Sequence, residues 1–274
     1  MRRLFELLLV AAAALVLGFL LLPLLSLFLR VSPATLFAQL GSEVALDALW
    51  ITLKTGLVAH VFVVGLGTPA AYFLASKRFR GRELVLTAVE LPLVLPPAVA
   101  GIALLSAFGR RGLLGDELSA LGVEIPFTQA AVVMAVAFVA MPFYVRQGIV
   151  AFESLDPALV EASRTLGAGP FRTFHRVALP LAAAGLGAGS TLAWARGTGE
   201  FGATIMFAGS FQGVTQTLPL AIYAQLDQDR AVAVAIGALL VVVSAAVLVA
   251  VKLLPSWRRS TSASLTPFAR SASS

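Results

Sequence analysis

The sequence contains no cysteine, three lysines and two histidines, and only 12% of its 274 residues are charged. The missing cysteines exclude disulfides, thiolate metal sites and cysteine nucleophiles. A soluble domain carries about a quarter of its residues as charges, so the shortage excludes an ordinary soluble enzyme. None of the three lysines follows a glycine. The phosphate-cradling Gly-x-x-x-x-Gly-Lys-Ser/Thr loop is therefore absent, and with it nucleotide hydrolysis by that route. Neither a Gly-x-Ser-x-Gly elbow nor a His-Glu-x-x-His pair occurs, and the histidines are His60 and His175. His60 lies inside an apolar run, where a hydrogen-bonded packing histidine is commoner than a proton relay. Gly197-Thr198-Gly199-Glu200-Phe201-Gly202 fits Gly-x-Gly-x-x-Gly. A dinucleotide site needs that pattern between a strand and a helix, whereas here it follows a long apolar run.

What the chain has in place of charge is long uncharged stretches. Leu7–Leu29, Thr55–Ser76, Ile125–Val145, Val177–Ala195 and Ala231–Val251 are 19 to 23 residues each, and Leu84–Phe108 has 25 with one glutamate. About 20 apolar residues cross the hydrocarbon core of a bilayer as a helix. The expectation is an all-α integral membrane protein with six transmembrane helices, and a first helix retained rather than cleaved as a signal peptide. With both termini in the cytoplasm, fourteen basic residues fall inside and four outside, Lys54 and Arg196 lying in or beside spans. The net charge of +6 thus reports orientation, not nucleic-acid binding. Phe201–Leu226 is also uncharged. Its Gly, Gln, Thr and Pro residues make a poor helix in lipid, and a seventh crossing would degrade the split to ten against eight. It reads as outer-side or re-entrant structure.

Pro92, Pro96 and Pro97 predict a kink in the third span, and Gly185-x-x-x-Gly189 a close helix approach in the fifth. No sixfold duplication is visible, so a two-fold pore requires a second chain. Three segments follow: a first transmembrane helix and outer loop over 1–44, a transmembrane domain over 45–255 with a loop at 146–180, and a Ser/Thr/Ala-rich tail over 256–274 expected to be disordered in the cytoplasm.

The loop between spans four and five carries most information. Asp156-Pro157 reads as N-cap and first helical residue, Ala158–Leu166 as helix, and Gly167 as a stop with positive φ. Gly169-Pro170 opens a second short helix, Phe171–Val177, and Pro180 opens span five. By spacing alone this is an amphipathic connector. Its residues say more. Glu161-Ala162-Ser163-x-x-x-Gly167, nine residues, then Val177-x-Leu179-Pro180 closely resembles the EAA loop of ABC-importer permeases, Glu-Ala-Ala-x3-Gly-x9-Ile-x-Leu-Pro, with Ser163 and Val177 as the two departures. Leu91–Gly101, Gly199–Thr204 and Thr215–Tyr223 resemble the oxyanion branch of these permeases, closer to its molybdate/tungstate than to its sulfate/thiosulfate side.

The resemblance, covering about residues 45–255, implies the type I importer permease architecture in the cell membrane. It also implies a pore subunit without its own catalysis, translocating molybdate. Partners would be a second copy, two ATPases that bind ATP and Mg, an external oxyanion-binding protein and membrane lipid, with no cofactor or metal in this chain. ATPase coupling would fall to Glu161, Ala162, Ser163, Leu166, Gly167, Val177, Leu179 and Pro180. Pore or gate candidates are Pro96, Pro97, Arg196, Glu200 and Thr204. Arg196 and Glu200, four apart, are expected to pair with each other before contacting substrate. Glu90 is expected to bond between helices. Sulfate/thiosulfate is the alternative cargo. A secondary transporter coupled through Glu90, His60, Arg196 and Glu200 is the alternative class, but it leaves the EAA loop without a role.

Overall fold

A computed structural model describes residues 2–29 and 32–253; the tail expected to be disordered lies outside them. All regular elements among the described residues are helical. The chain divides into two compact units, Met1–Thr52 with Ser210–Ser244, and Leu53–Gly209 with the chain from Ala245 onward.

The first unit holds α1 (Arg2–Leu29), α2 (Pro33–Leu40), the first turns of α3 (Glu43–Ser76), α12 (Leu218–Gln225) and most of α13 (Arg230–Leu253). No residue between Arg3 and Leu29 is buried. Its core joins Ala45 and Ala48 of α3, Leu218 and Ala221 of α12, and Ile236 of α13. The Thr52 hydroxyl donates to the Ala48 carbonyl at 2.7 Å and accepts the Leu218 N–H at 2.8 Å. That second bond satisfies a donor the first turn of α12 would otherwise leave open.

The second unit holds the rest of α3, then α4 (Arg82–Val94), α5 (Pro97–Phe108), α6 (Gly115–Ala120), α7 (Gln129–Glu153), α8 (Pro157–Thr165), α9 (Pro170–Thr173), α10 (Leu179–Thr198) and α11 (Gly202–Ala208). The main pairing is α7 on α10. It follows from small residues: a Cβ on Gly185 would collide with the Ala151 Cβ, so the two backbones touch as the Gly185-x-x-x-Gly189 spacing predicts.

Five described helices, α1, α3, α7, α9–α10 and α13, are long and apolar enough to cross a membrane. The third predicted span, Leu84–Phe108, is not one helix. It is α4 and α5 at 116° to each other, counting as a sixth span only if the pair is taken together. Leu95 precedes Pro96 and is extended (φ −70°, ψ 134°), the conformation a following proline imposes, while Pro97 starts α5. Phe201–Leu226 is also not a span: α11 and α12 are separated by a turn in which the Phe211 carbonyl accepts three backbone N–H groups.

The expected second loop helix, Phe171–Val177, is corrected too. It is α9, continuing into α10 through a π-turn at Phe174–Ala178. Pro180 has no N–H for the Arg176 carbonyl and its ring crowds that group. The chain widens there, and Leu179 N–H bonds to the Phe174 carbonyl five residues back.

Candidate functional site

The loop between α7 and α10 is built from its caps upward. Asp156 Oδ1 accepts the Ala158 N–H at 2.9 Å, and Pro157 takes the first helical position. At the other end Gly167 has φ +81°. Gly167 N–H bonds to the Arg164 carbonyl and Ala168 N–H to the Ser163 carbonyl, the paired closure that ends a helix on a left-handed residue. The chain then reverses into α9. Ser163 Oγ lies 3.0 Å from Thr173 Oγ1, so the hydroxyl that replaces the family's second alanine ties α8 to the buried end of α9.

An aromatic cluster roots the loop in the bundle. Phe174 packs on Tyr72 of α3 at 4.8 Å between ring centroids, and Tyr72 meets Phe152 of α7 at 5.2 Å. Outward, Leu166 is 88% exposed and Phe171 78%, with the Phe171 ring stacked on His175. No residue of α8 is buried. Glu161 and Arg164 line a cavity of about 480 Å³ with Tyr72, Arg78, Phe152 and Glu153.

The structure gathers Glu161, Ala162, Ser163, Leu166 and Gly167 on one projecting turn. Val177, Leu179 and Pro180 belong to other elements, the π-turn joint and the first turn of α10. Leu179 packs on the α7–α10 core and Pro180 borders a cavity of about 840 Å³ that also meets Thr68, Tyr144 and Ser190.

The other candidates form a second cluster. Gly101 of α5 is pressed on Ala203 and Met206, and Gly202 on Pro97 and Ala98, so α5 and α11 pack backbone to backbone. Arg196 Nη1 is 2.7 Å from Glu200 Oε2, the expected pair, and Glu200 Oε1 accepts the Ala203 N–H at 2.7 Å. The Glu200 side chain is 1% exposed against 30% for Arg196. Its second oxygen meets a cation without an aligned N–H, a charge contact and not a formed hydrogen bond. Thr204 is fully buried, and its hydroxyl has no hydrogen-bond partner among the described residues. Pro96 and Pro97 are exposed at the α4–α5 break. Arg196 is thus the charge of this group that reaches the surface.

His60 Nε2 lies 2.7 Å from Ser190 Oγ with Trp194 edge-on at 5.3 Å, the packing arrangement expected of it. Glu90 pairs across helices with Arg146 at 3.6 Å. In the segment between α5 and α7, Arg110 Nη2 donates to the Glu124 carboxylate at 2.8 Å; that bond, then the carboxylate's charge, raises the guanidinium pKa.

Sequence reasoning missed Tyr72, Phe152, Phe174 and Arg82. Arg82 Nε donates to the Leu74 carbonyl at 2.8 Å, Nη2 to Glu153 at 2.6 Å and Nη1 to Glu83 at 3.2 Å. In the sequence it is one of several basic residues whose only legible meaning is orientation.

Residues 67–259 match the family described as binding-protein-dependent transport system inner membrane component. The chain is 46% identical over 235 residues, covering 85% of it and 88% of the relative, to a protein of Mycobacterium tuberculosis named molybdenum transport system permease protein ModB. It is 39% identical over 242 residues (84% and 86%) to a Haloferax volcanii protein named probable molybdenum ABC transporter permease. Among solved structures it superposes on a chain of a bacterial alginate ABC transporter with TM-score 0.72 at 18% identity, covering 94% and 95% of the two chains. It also superposes on a chain of the MetNI methionine ABC transporter in an inward-facing conformation with TM-score 0.58 at 21% identity, covering 76% and 93%. These two likenesses establish the fold.

Proposed function

This chain belongs to the family of binding-protein-dependent transport system inner membrane components, and from that premise we propose that it is the permease subunit of an ABC importer for molybdate. One observation carries the mechanism: α8 and its C-cap project from the bundle with Leu166 and Phe171 uncovered and no residue of α8 buried. An exposed apolar pair on two short helices joined at the Gly167 stop is what a helix-in-groove contact needs. Each large side chain fully covered by a partner is worth about 1.5–3 kcal/mol. The partner is an ATPase subunit on the cytoplasmic side, which binds ATP and Mg. The relatives named for molybdenum transport support the cargo.

Two copies of the chain line the pore, two ATPases dock on the loops, and an external binding protein delivers the oxyanion. Nucleotide drives the pore only through differential affinity: the closed ATPase pair must fit one arrangement of the loops better than the other. Backbone contacts at Gly101 and Gly202 move α5 and α11 as one block. Its buried Glu200 is held by Arg196 and by the start of α11, so this carboxylate braces the block and does not repel a passing anion.

The test is uptake of labelled molybdate into proteoliposomes carrying the chain, its ATPase and the binding protein. Uptake that needs ATP and saturates below any effect of excess sulfate supports the reading. Preference for sulfate would reassign the cargo, and uptake driven by an ion gradient without the ATPase would overturn the class. Native mass spectrometry should give two copies of this chain per complex; one copy beside a different permease would overturn the homodimer.

A further inference from the structure

Arg82 sits where three helix ends meet. Its side chain is 15% exposed, and its guanidinium makes three contacts at once: the Leu74 carbonyl near the end of α3, Glu83 at the start of α4, and Glu153 at the end of α7. The Leu74 carbonyl belongs to the class of late-helix acceptors with no donor of their own, and a charged donor is the strong way to satisfy it. Glu153 closes α7, three residues before the Asp156 cap of α8, and it borders the same cavity as Glu161 and Arg164. Arg82 therefore grips the root of the projecting loop.

A second contact lies further along the same pair of helices. Glu90 of α4 meets Arg146 of α7 at 3.6 Å. The partners run in opposite order, 82 with 153 and 90 with 146, so α4 lies antiparallel on α7 with a charge contact near each end. No residue of α4 is buried; Leu86 and Val89 only reach the edge of the α7–α10 core. Beside that apolar edge, the two charge contacts, the close Arg82–Glu153 pair above all, help fix where α4 lies. Beyond α4 the chain turns by 116° into α5, whose backbone is pressed on α11.

We infer that Arg82 is the positioning residue that makes α4 follow the root of the docking loop, passing its displacement through the Pro96–Pro97 break to the α5–α11 block. This rests on the permease reading above. Among the described residues, Arg82 is the charge that contacts α3, α4 and α7 together, and its fork geometry does what an ammonium cannot. The coupling free energy of such an element is lost when the element moves independently, even though both sites remain intact.

The experiment compares Arg82→Gln, Glu153→Gln and Arg82→Lys with wild type in proteoliposomes. Three quantities are read: ATPase co-purified, ATP hydrolysed, and molybdate taken up per ATP. Both Gln variants should retain the ATPase and its hydrolysis within about twofold while molybdate per ATP falls about tenfold, a typical scale for lost coupling. Arg82→Lys should fall between, since it keeps the charge and loses the fork. Unchanged molybdate per ATP in the Gln variants overturns the inference. So does a parallel fall of assembly, hydrolysis and uptake, which would mark a merely structural role. If wild type takes up no molybdate, the proposed cargo fails, and the same ratio measured with the oxyanion that wild type does carry decides Arg82.

Discussion

Helices α7 and α8 are consecutive in the chain, separated only by residues 154–156, yet they use apolar residues in opposite ways. α7 turns thirteen of its 25 residues into the interior, many of them alanine, glycine or valine. α8 has nine residues, including Leu159 and Val160, and buries none. The difference is not hydrophobicity as such. Lipid is as apolar as leucine, so a span gains little by hiding its leucines and much by close backbone packing through small residues. A short helix outside the bilayer has no such partner within its own chain, and an uncovered leucine there marks a contact surface. The lesson is that residue size tells interior from lipid in α7, while exposure tells connector from docking surface in α8.

Breaking the α7 side should have the larger effect. Gly185→Leu forces a side chain into the space held by Ala151. Overpacking of this kind costs about 1–3 kcal/mol or more, and here it separates α7 from α10. Purified in detergent, the variant should melt well below wild type or fail to accumulate. A wild-type melting temperature would remove the small-residue account of the bundle.

On the α8 side the expected signature is reversed. Leu166→Asp should leave melting unchanged, because Leu166 is 88% exposed, and should weaken ATPase co-purification by about tenfold, the equivalent of 1.4 kcal/mol. Wild-type co-purification would mean that the projecting turn docks nothing. Gly167→Val is a subtler probe of the same surface. A branched residue at φ +81° carries strain of about 1–3 kcal/mol, which the short loop relieves by opening the α8 cap. Co-purification should fall several-fold with the bundle intact, and a crystal or electron microscopy map with the turn unchanged would count against it.

Ser163→Ala should do least. It removes the contact to Thr173, worth about 0.5–1.5 kcal/mol, and supplies the alanine that the EAA pattern carries at this position. Molybdate uptake within about twofold of wild type is expected; a loss comparable to that of Gly167→Val would make the hydroxyl pair part of the coupling geometry.

Much of this was legible before any coordinates. The Asp156-Pro157 start and the Gly167 stop of α8 follow from capping and from glycine's freedom at positive φ, both local properties, and both are observed. The Arg196–Glu200 pair was legible because four residues is one helical turn. Two local readings stopped short. Pro92, Pro96 and Pro97 announced a kink, but a kink and a 116° break differ by how the pieces pack afterwards. Pro180 announced a helix start, but the helix before it runs through by widening into a π-turn, stabilised by Phe174 against Tyr72.

The sequence by itself determined that the chain is helical and membrane-spanning, where its helices start, stop or break, and which loop carries the importer signature. Those properties depend on apolar length, proline and cap chemistry within a few residues. Only the tertiary structure decided that Arg82 binds Glu153, 71 positions away, that Gly202 touches Pro97, and that Tyr72, Phe152 and Phe174 root the loop. Contacts between distant residues are set by how the helices close on one another, and a charge or an aromatic ring looks the same in the sequence whether or not the fold brings it a partner.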